Sequence, residues 1–200
     1  MQEKILKKAA DLFLNQGVKN VTMDEIAREL GMSKKTIYAY FETKTHLVEA
    51  TSLYIFDGIA SGIQEIKKEK KNPIEELFSI RNFILLSLKE EKSSPEFQLK
   101  KYYPKIFAKL RAKQKSLVES SILENIRRGM SEGMYRKGLN EDFIARMYFN
   151  GMTGIKDRVI FPENMFGPEE LTELFLEYHL RSIVTGKGLE ILETFIKHNI

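Results

Sequence analysis

Residues 22–44, TMDEIARELGMSKKTIYAYFETK, constrain this chain more than any other stretch, because the start, stop and inward-face signals of two short helices all fall within them. Thr22 and Glu25 have the spacing of a capping box at a helix start. Ile26, Ala27 and Leu30 recur at helical spacing and supply its inward face. Gly31 can end that helix in a left-handed conformation at little steric cost. Ser33 then caps a second short helix that turns Ile37 and Phe41 inward. Its outward positions are Lys34, Lys35, Thr36, Tyr38 and Tyr40. Lysines neutralise phosphates or reach guanine acceptors, and hydroxyls address bases or phosphates, so this face suits the major groove of DNA. The plainer alternative is a helical hairpin with a polar solvent face.

The order T…IA…G.S..T.Y.YF..K is carried by Thr22, Ile26, Ala27, Gly31, Ser33, Thr36, Tyr38, Tyr40, Phe41 and Lys44. It resembles the DNA-binding segment of the TetR family of bacterial transcriptional regulators. The resemblance is strong over about residues 5–47, and beyond them it extends only to helical architecture and length. Lys35 departs from it, since many relatives carry a small residue there. What the resemblance implies is an all-α chain in two parts. A three-helix helix-turn-helix DNA-binding domain occupies 1–46, and a helical domain for effector binding and dimerisation occupies 47–200. The expected DNA contacts are Thr22, Ser33, Lys34, Lys35, Thr36, Tyr38, Tyr40 and Lys44, the last at a helix N-terminus that is itself an anion site. The expected partners are double-stranded operator DNA, a second copy of the chain and a small-molecule effector.

Composition agrees with a globular chain of this kind. Its 200 residues are 42% hydrophobic and 30% charged, enough to bury a sizeable core. Without cysteine there is neither disulfide nor thiolate chemistry, and a reducing cytosol is the natural compartment. The opening MQEKILKKAADLF is charged and amphipathic, unlike a signal peptide, and no apolar run is long enough to span a bilayer, so a cytoplasmic location without membrane contact is expected. The net charge of +4 permits nucleic-acid binding without requiring it. Its distribution says more: KKEKK fills 67–71, and 97–118 holds several cations and no Asp or Glu. Such runs are ordinarily solvated faces; the functional alternative is a surface that helps hold DNA or an anionic ligand.

Along the chain, a first helix is expected over 2–15, ended by Gly17, with Ile5, Ala9, Leu12 and Phe13 packing on the helix-turn-helix. The next spans about 44–70, capped by Thr43 or Thr45. Another follows Asn72-Pro73 to about Leu88, with Arg81 in the middle of its apolar arc, either paired, snorkelling or awaiting an anion. Ser93-Ser94-Pro95 breaks the pattern, and Pro104 kinks or restarts a helix bearing Ile106, Phe107 and Leu110. A long helix is expected over 115–137, ended by Gly138. Residues 140–159 form a helix apolar around most of its circumference, with only Arg146, Asn150, Thr153 and Asp157 as a polar stripe; such a helix is buried by both its own core and a partner. Gly151 and Gly154 leave room for close packing on either side. Helices at 168–185 and 189–198 complete the chain.

Catalytic and cofactor signatures are missing. His46, His179 and His198 lack metal-ligand spacing, and there is no phosphate loop, nucleophile elbow or E-x-x-H pair. No enzyme activity, metal or cofactor is expected. An interaction module using the hairpin as a scaffold is a third class, disfavoured by the cations and aromatics at 34–40. The surplus of aromatic and methionine side chains suggests an adaptable apolar pocket or simple core packing. Candidate effector contacts are Arg81, Phe83, Tyr103, Phe107, Met130, Met134, Tyr148 and Met152, for a largely apolar effector with a polar end.

Overall fold

A computed structural model describes residues 1–88 and 95–199. The described residues form ten α-helices; the sole extended pairing among them is an isolated antiparallel bridge between Tyr135 and Val184. In order they are α1 (Gln2–Gln16), α2 (Met23–Glu29), α3 (Lys34–Tyr40), α4 (Lys44–Lys68), α5 (Pro73–Ser87), α6 (Pro95–Tyr102), α7 (Pro104–Ser131), α8 (Glu141–Gly154), α9 (Pro168–Ile183) and α10 (Gly186–Asn199). None of the described helices is long and apolar enough to cross a membrane.

The chain packs as two compact units, Met1–Gly62 with Leu86–Gln114, and Ile63–Leu85 with Lys115–Ile200. In the first, Ile5, Ala9, Leu12 and Phe13 of α1 meet Ile26 and Ala27 of α2, Ile37 of α3, and Phe41, Leu47 and Val48. Burying each valine, leucine, isoleucine or phenylalanine among them contributes about 1.5–3 kcal/mol. Leu99 of α6 and Ile106 of α7 complete this core. In the second unit Ile74, Leu77 and Phe78 of α5 pack with Ile122 and Ile126 of α7, Ala145 of α8, Leu176, Leu180 and Ile183 of α9, and Leu192 of α10.

Several expected boundaries move. No helix begins at Lys115: α7 runs unbroken from Pro104, since neither Gly nor Pro interrupts 105–128, and it ends at Ser131 rather than at Gly138. Helix α8 stops at Gly154 instead of Val159, where the Asp157 carboxylate accepts the Val159 N–H at 2.9 Å and turns the chain. At the far end α10 begins at Gly186, because the Thr185 hydroxyl accepts the Gly188 N–H at 3.2 Å as a cap. Helix α5 begins at Pro73 as expected, and Asn72 caps it, accepting from the N–H groups of Ile74 and Glu75 at 3.1 and 3.0 Å. The Ser93-Ser94 break lies outside the described residues.

Candidate nucleic-acid interface

Local chemistry fixes the angle at which α3 is presented. The Thr22 hydroxyl accepts the Glu25 N–H at 3.1 Å and starts α2. At the other end Gly31 adopts φ 63°, so the Met32 N–H reaches the Ala27 carbonyl at 2.9 Å and the Gly31 N–H reaches that of Arg28 at 3.1 Å. These two bonds form a Schellman turn, and the conformation favours glycine because it lacks a Cβ. The Ser33 hydroxyl then accepts the Thr36 N–H at 3.1 Å and caps α3. With Ile37 and Phe41 completely buried, α3 can turn only its opposite face outward.

That face carries exposed Lys34, Lys35, Tyr38 and Tyr40, with Thr36 half-buried beside Ser33, their hydroxyl oxygens 2.8 Å apart. Lys34 pairs with Asp24 of α2 at 2.8 Å, which raises its pKa, and its ammonium lies 5.9 Å from the centre of the Tyr38 ring. Both partners of that pair are exposed, so water and salt screen it and a phosphate can compete with Asp24. Thr43 caps α4 by accepting the His46 N–H at 3.1 Å, settling the choice between Thr43 and Thr45. Next to it the half-buried Lys44 ammonium donates to the Lys19 carbonyl at 3.0 Å. Burial lowers its pKa, with Glu25 acting in the opposite sense. An approaching phosphate would supply the missing counter-charge. Thr22, Ser33, the α3 face and Lys44 all belong to the first unit, although Thr22 and Ser33 already serve as helix caps.

The residues considered for an effector are less united. Tyr103 and Phe107 pack against the core of the first unit, while Met130, Met134 and Tyr148 belong to that of the second. Phe83 and Met152 are half-buried. Arg81 is held by its own unit: it donates to the Thr172 hydroxyl at 3.2 Å, the Glu169 carbonyl at 2.8 Å and the Glu173 carboxylate at 3.2 Å. Of the three readings of this cation, pairing is the one realised. The polar stripe expected over 140–159 is a surface, with Arg146 and Asn150 of α8 and Asp157 beyond its end exposed. Sequence reasoning passed over His179, which is 6% exposed and lies against Tyr148 and Phe175 at ring-centre distances of 4.8 and 6.4 Å. Among the described residues its Nε2 has no hydrogen-bond partner, and burial lowers its pKa to about 4. The signal was its place among Leu176, Leu180 and Ile183 on the apolar face of α9.

A capped helix-turn-helix with cations and aromatics outward has the build of a DNA-binding domain of the transcription-regulator class. Comparison with known proteins agrees. Residues 5–51 match the profile described as "Bacterial regulatory proteins, tetR family". Over 94% of its length the chain is 22% identical to the transcriptional repressor KstR2 of Mycolicibacterium smegmatis, of which it covers 92%. In fold it resembles a transcriptional regulator from Cytophaga hutchinsonii (TM-score 0.75, 21% identity, 92% of this chain and 98% of that one). It also resembles SmeT, the repressor of the Stenotrophomonas maltophilia multidrug efflux pump SmeDEF (TM-score 0.69, 20% identity, 93% and 91%). Residues 5–51 therefore carry a segment similar to the TetR family's DNA-binding region, and the similarities support a DNA-binding regulator rather than an enzyme.

Proposed function

We propose that this protein is a ligand-responsive repressor that binds a pseudo-palindromic operator as a homodimer, residues 1–46 reading DNA and 47–200 serving regulation and assembly. The observation that carries the reading is the α3 face: Tyr38 and Tyr40 stand exposed beside two lysines while Ile37 and Phe41 lock the helix from behind. Lys44 and the hydroxyl caps would position the domain on phosphates, and Thr36 and Tyr38 would meet base edges. Lys44→Ala should therefore weaken binding to all sequences nearly equally and lower the salt slope by about 1 per protomer. Changes at Thr36 or Tyr38 should alter sequence preference, each costing about 1–3 kcal/mol. Unchanged operator affinity in all three variants would remove the assignment of this surface.

For the dimer, support comes from α8 and α9. These helices pack on each other, and a Cβ at Gly151 would collide with the Phe175 ring, so that glycine serves the intramolecular contact. A Cβ at Gly154 meets nothing within 4 Å. Phe143 and Met147 on α8, and Leu174 and Tyr178 on α9, are exposed at i, i+4 spacing, Phe143 by 60% and Tyr178 by 74%. Large apolar side chains left exposed on two helices that pack together suit an interaction site, and the occupant proposed is a second copy forming a four-helix interface. Gly154→Leu should impair dimerisation and leave the thermal melt of the protomer nearly unchanged. Sedimentation of the native protein as a monomer at micromolar concentration, while it still binds a palindrome tightly, would contradict the dimer.

For the effector, the supporting residues are those of the second unit: Phe83, Met130, Met134, Tyr148 and Met152, with Nε2 of His179, unpartnered among the described residues, as a polar anchor beside Tyr148. A mainly apolar molecule with one polar end suits that set. An effector that prefers the wrongly spaced dimer would shift the population away from DNA, with α4 as the covalent link.

A further inference from the structure

Within the first unit, α6 and the α1–α2 turn build a second cationic surface that helix-turn-helix chemistry does not require. Residues 97–118 contain Lys100, Lys101, Lys105, Lys109, Arg111, Lys113 and Lys115 with no Asp or Glu. Some of these cations are occupied: Lys109 pairs with Glu49 at 2.6 Å, Arg111 with Glu96 at 3.7 Å, and Lys113 lies over the Phe56 ring. On α6, Lys100 and Lys101 are exposed, and among the described residues neither they nor Lys19 form an ion pair. Lys101 approaches the Tyr102 ring centre to 5.4 Å and Lys19 approaches it to 5.0 Å. Two ammonium groups thus converge on one exposed tyrosine, whose pKa is lowered first by its hydrogen bond with Lys19. Ring faces attract cations, but two like charges gathered at one ring repel each other, and a polyanion relieves that repulsion.

The main chain of Lys19 joins this cluster to the DNA surface. Its N–H donates to the Gln98 side chain of α6 at 3.0 Å, and its carbonyl accepts the Lys44 ammonium at 3.0 Å. The α1–α2 turn is therefore held between α6 and the N-terminus of α4, where a phosphate is expected. A duplex carries one charge per about 1.7 Å of its axis, so a phosphate held at Lys44 has further phosphates close beside it.

We propose that Lys19 and Lys101, which converge on Tyr102, together with the exposed Lys100 of the same helix α6, form an accessory contact to the DNA backbone, continuous with the phosphate contact at Lys44. The proposal rests on the DNA-binding role of α3 and α4. It assigns α6 a direct part in holding DNA, sequence-independent and sensitive to salt.

The test uses the full-length protein and its selected operator, with affinity measured across a series of salt concentrations and phosphate contacts mapped by ethylation interference. The double variant Lys100→Ala, Lys101→Ala should keep the native sequence preference and thermal melt. It should lower the salt slope by about 0.9 for each phosphate it no longer neutralises, so by roughly 2 per protomer. One or two interfering phosphates, adjacent to the one that disappears in Lys44→Ala, should vanish from the map. Lys101→Glu should weaken binding further, and Lys137→Ala, the same charge removed from the second unit, should leave slope and map unchanged. A native slope and native map in the double variant would overturn the proposal, as would an equal fall in slope in Lys137→Ala. If the wild-type protein selects no operator at all, the DNA-binding reading itself fails; if it selects one and only the α6 variants are silent, the accessory role of α6 alone is refuted.

Discussion

Arg128→Met should cost about 3 kcal/mol of unfolding free energy, near the lower end of the range for breaking a buried ion pair because the arginine is partly solvated. The reason is Glu76, a carboxylate only 2% exposed. Arg128 Nη2 donates to one of its oxygens at 2.8 Å and Asn125 Nδ2 to the other at 2.9 Å. Asn125 also donates to the Pro73 carbonyl at 2.9 Å and accepts from the Tyr135 hydroxyl at 3.0 Å, which links α5, α7 and the turn after α7. Burial, reinforced by Glu76, holds the Tyr135 hydroxyl protonated at any ordinary pH. Removing the arginine leaves the carboxylate buried without a counter-charge, whereas Arg128→Met with Glu76→Met removes both charges and should recover much of the stability. Arg181→Ala is the reference: its pairs with Glu177 and Glu193 are exposed at 2.7 and 3.5 Å and should contribute under about 1 kcal/mol. Urea unfolding of the four proteins decides, and equal destabilisation in Arg128→Met and Arg181→Ala would contradict the account.

The second large effect is a loss of stability in mild acid. His179 is neutral in the fold, with a pKa of about 4 against the ordinary 6.5 of an unfolded chain. Below pH 6.5 the unfolded chain therefore binds a proton that the folded one refuses. Stability from this group is complete above that pH and declines as the pH falls toward 4, by about 3 kcal/mol in all. Carboxylates add their own acid dependence, so the informative quantity is a difference. Urea midpoints measured from neutral pH down to 4.5 should fall more steeply for the native protein than for His179→Phe, whose ring suits the cluster with Tyr148 and Phe175. Parallel curves would show that His179 is not held neutral by burial.

What the sequence revealed and what it concealed follow from the range of each interaction. The helix-turn-helix was legible because its determinants are local: the caps at Thr22 and Ser33, the left-handed Gly31 and the inward Ile37 and Phe41 lie within 20 residues of one another. Helix ends failed where residue type misled. Gly186 and Gly188 concealed the start of α10, although Thr185 caps it, and the helix start expected at Lys115 has no Gly or Pro to enforce it. The networks were out of reach, since Arg81 with Glu173, Glu76 with Arg128 and Lys19 with Gln98 are joined only by tertiary packing. For the same reason Tyr103 and Phe107, grouped with Met130 and Tyr148 by composition, fall in a different core.

The most direct measurement of the central claim is selection of DNA from a random pool by the native protein, followed by binding of the winner to native, Thr36→Ala and Tyr38→Ala proteins. The account predicts an inverted repeat with half-sites about one helical turn (roughly 34–36 Å) or more apart. Each variant should bind it about 1–3 kcal/mol more weakly and with a changed preference at particular base pairs. A pool that yields no enriched sequence, or a winner bound equally well by all three proteins, would contradict it.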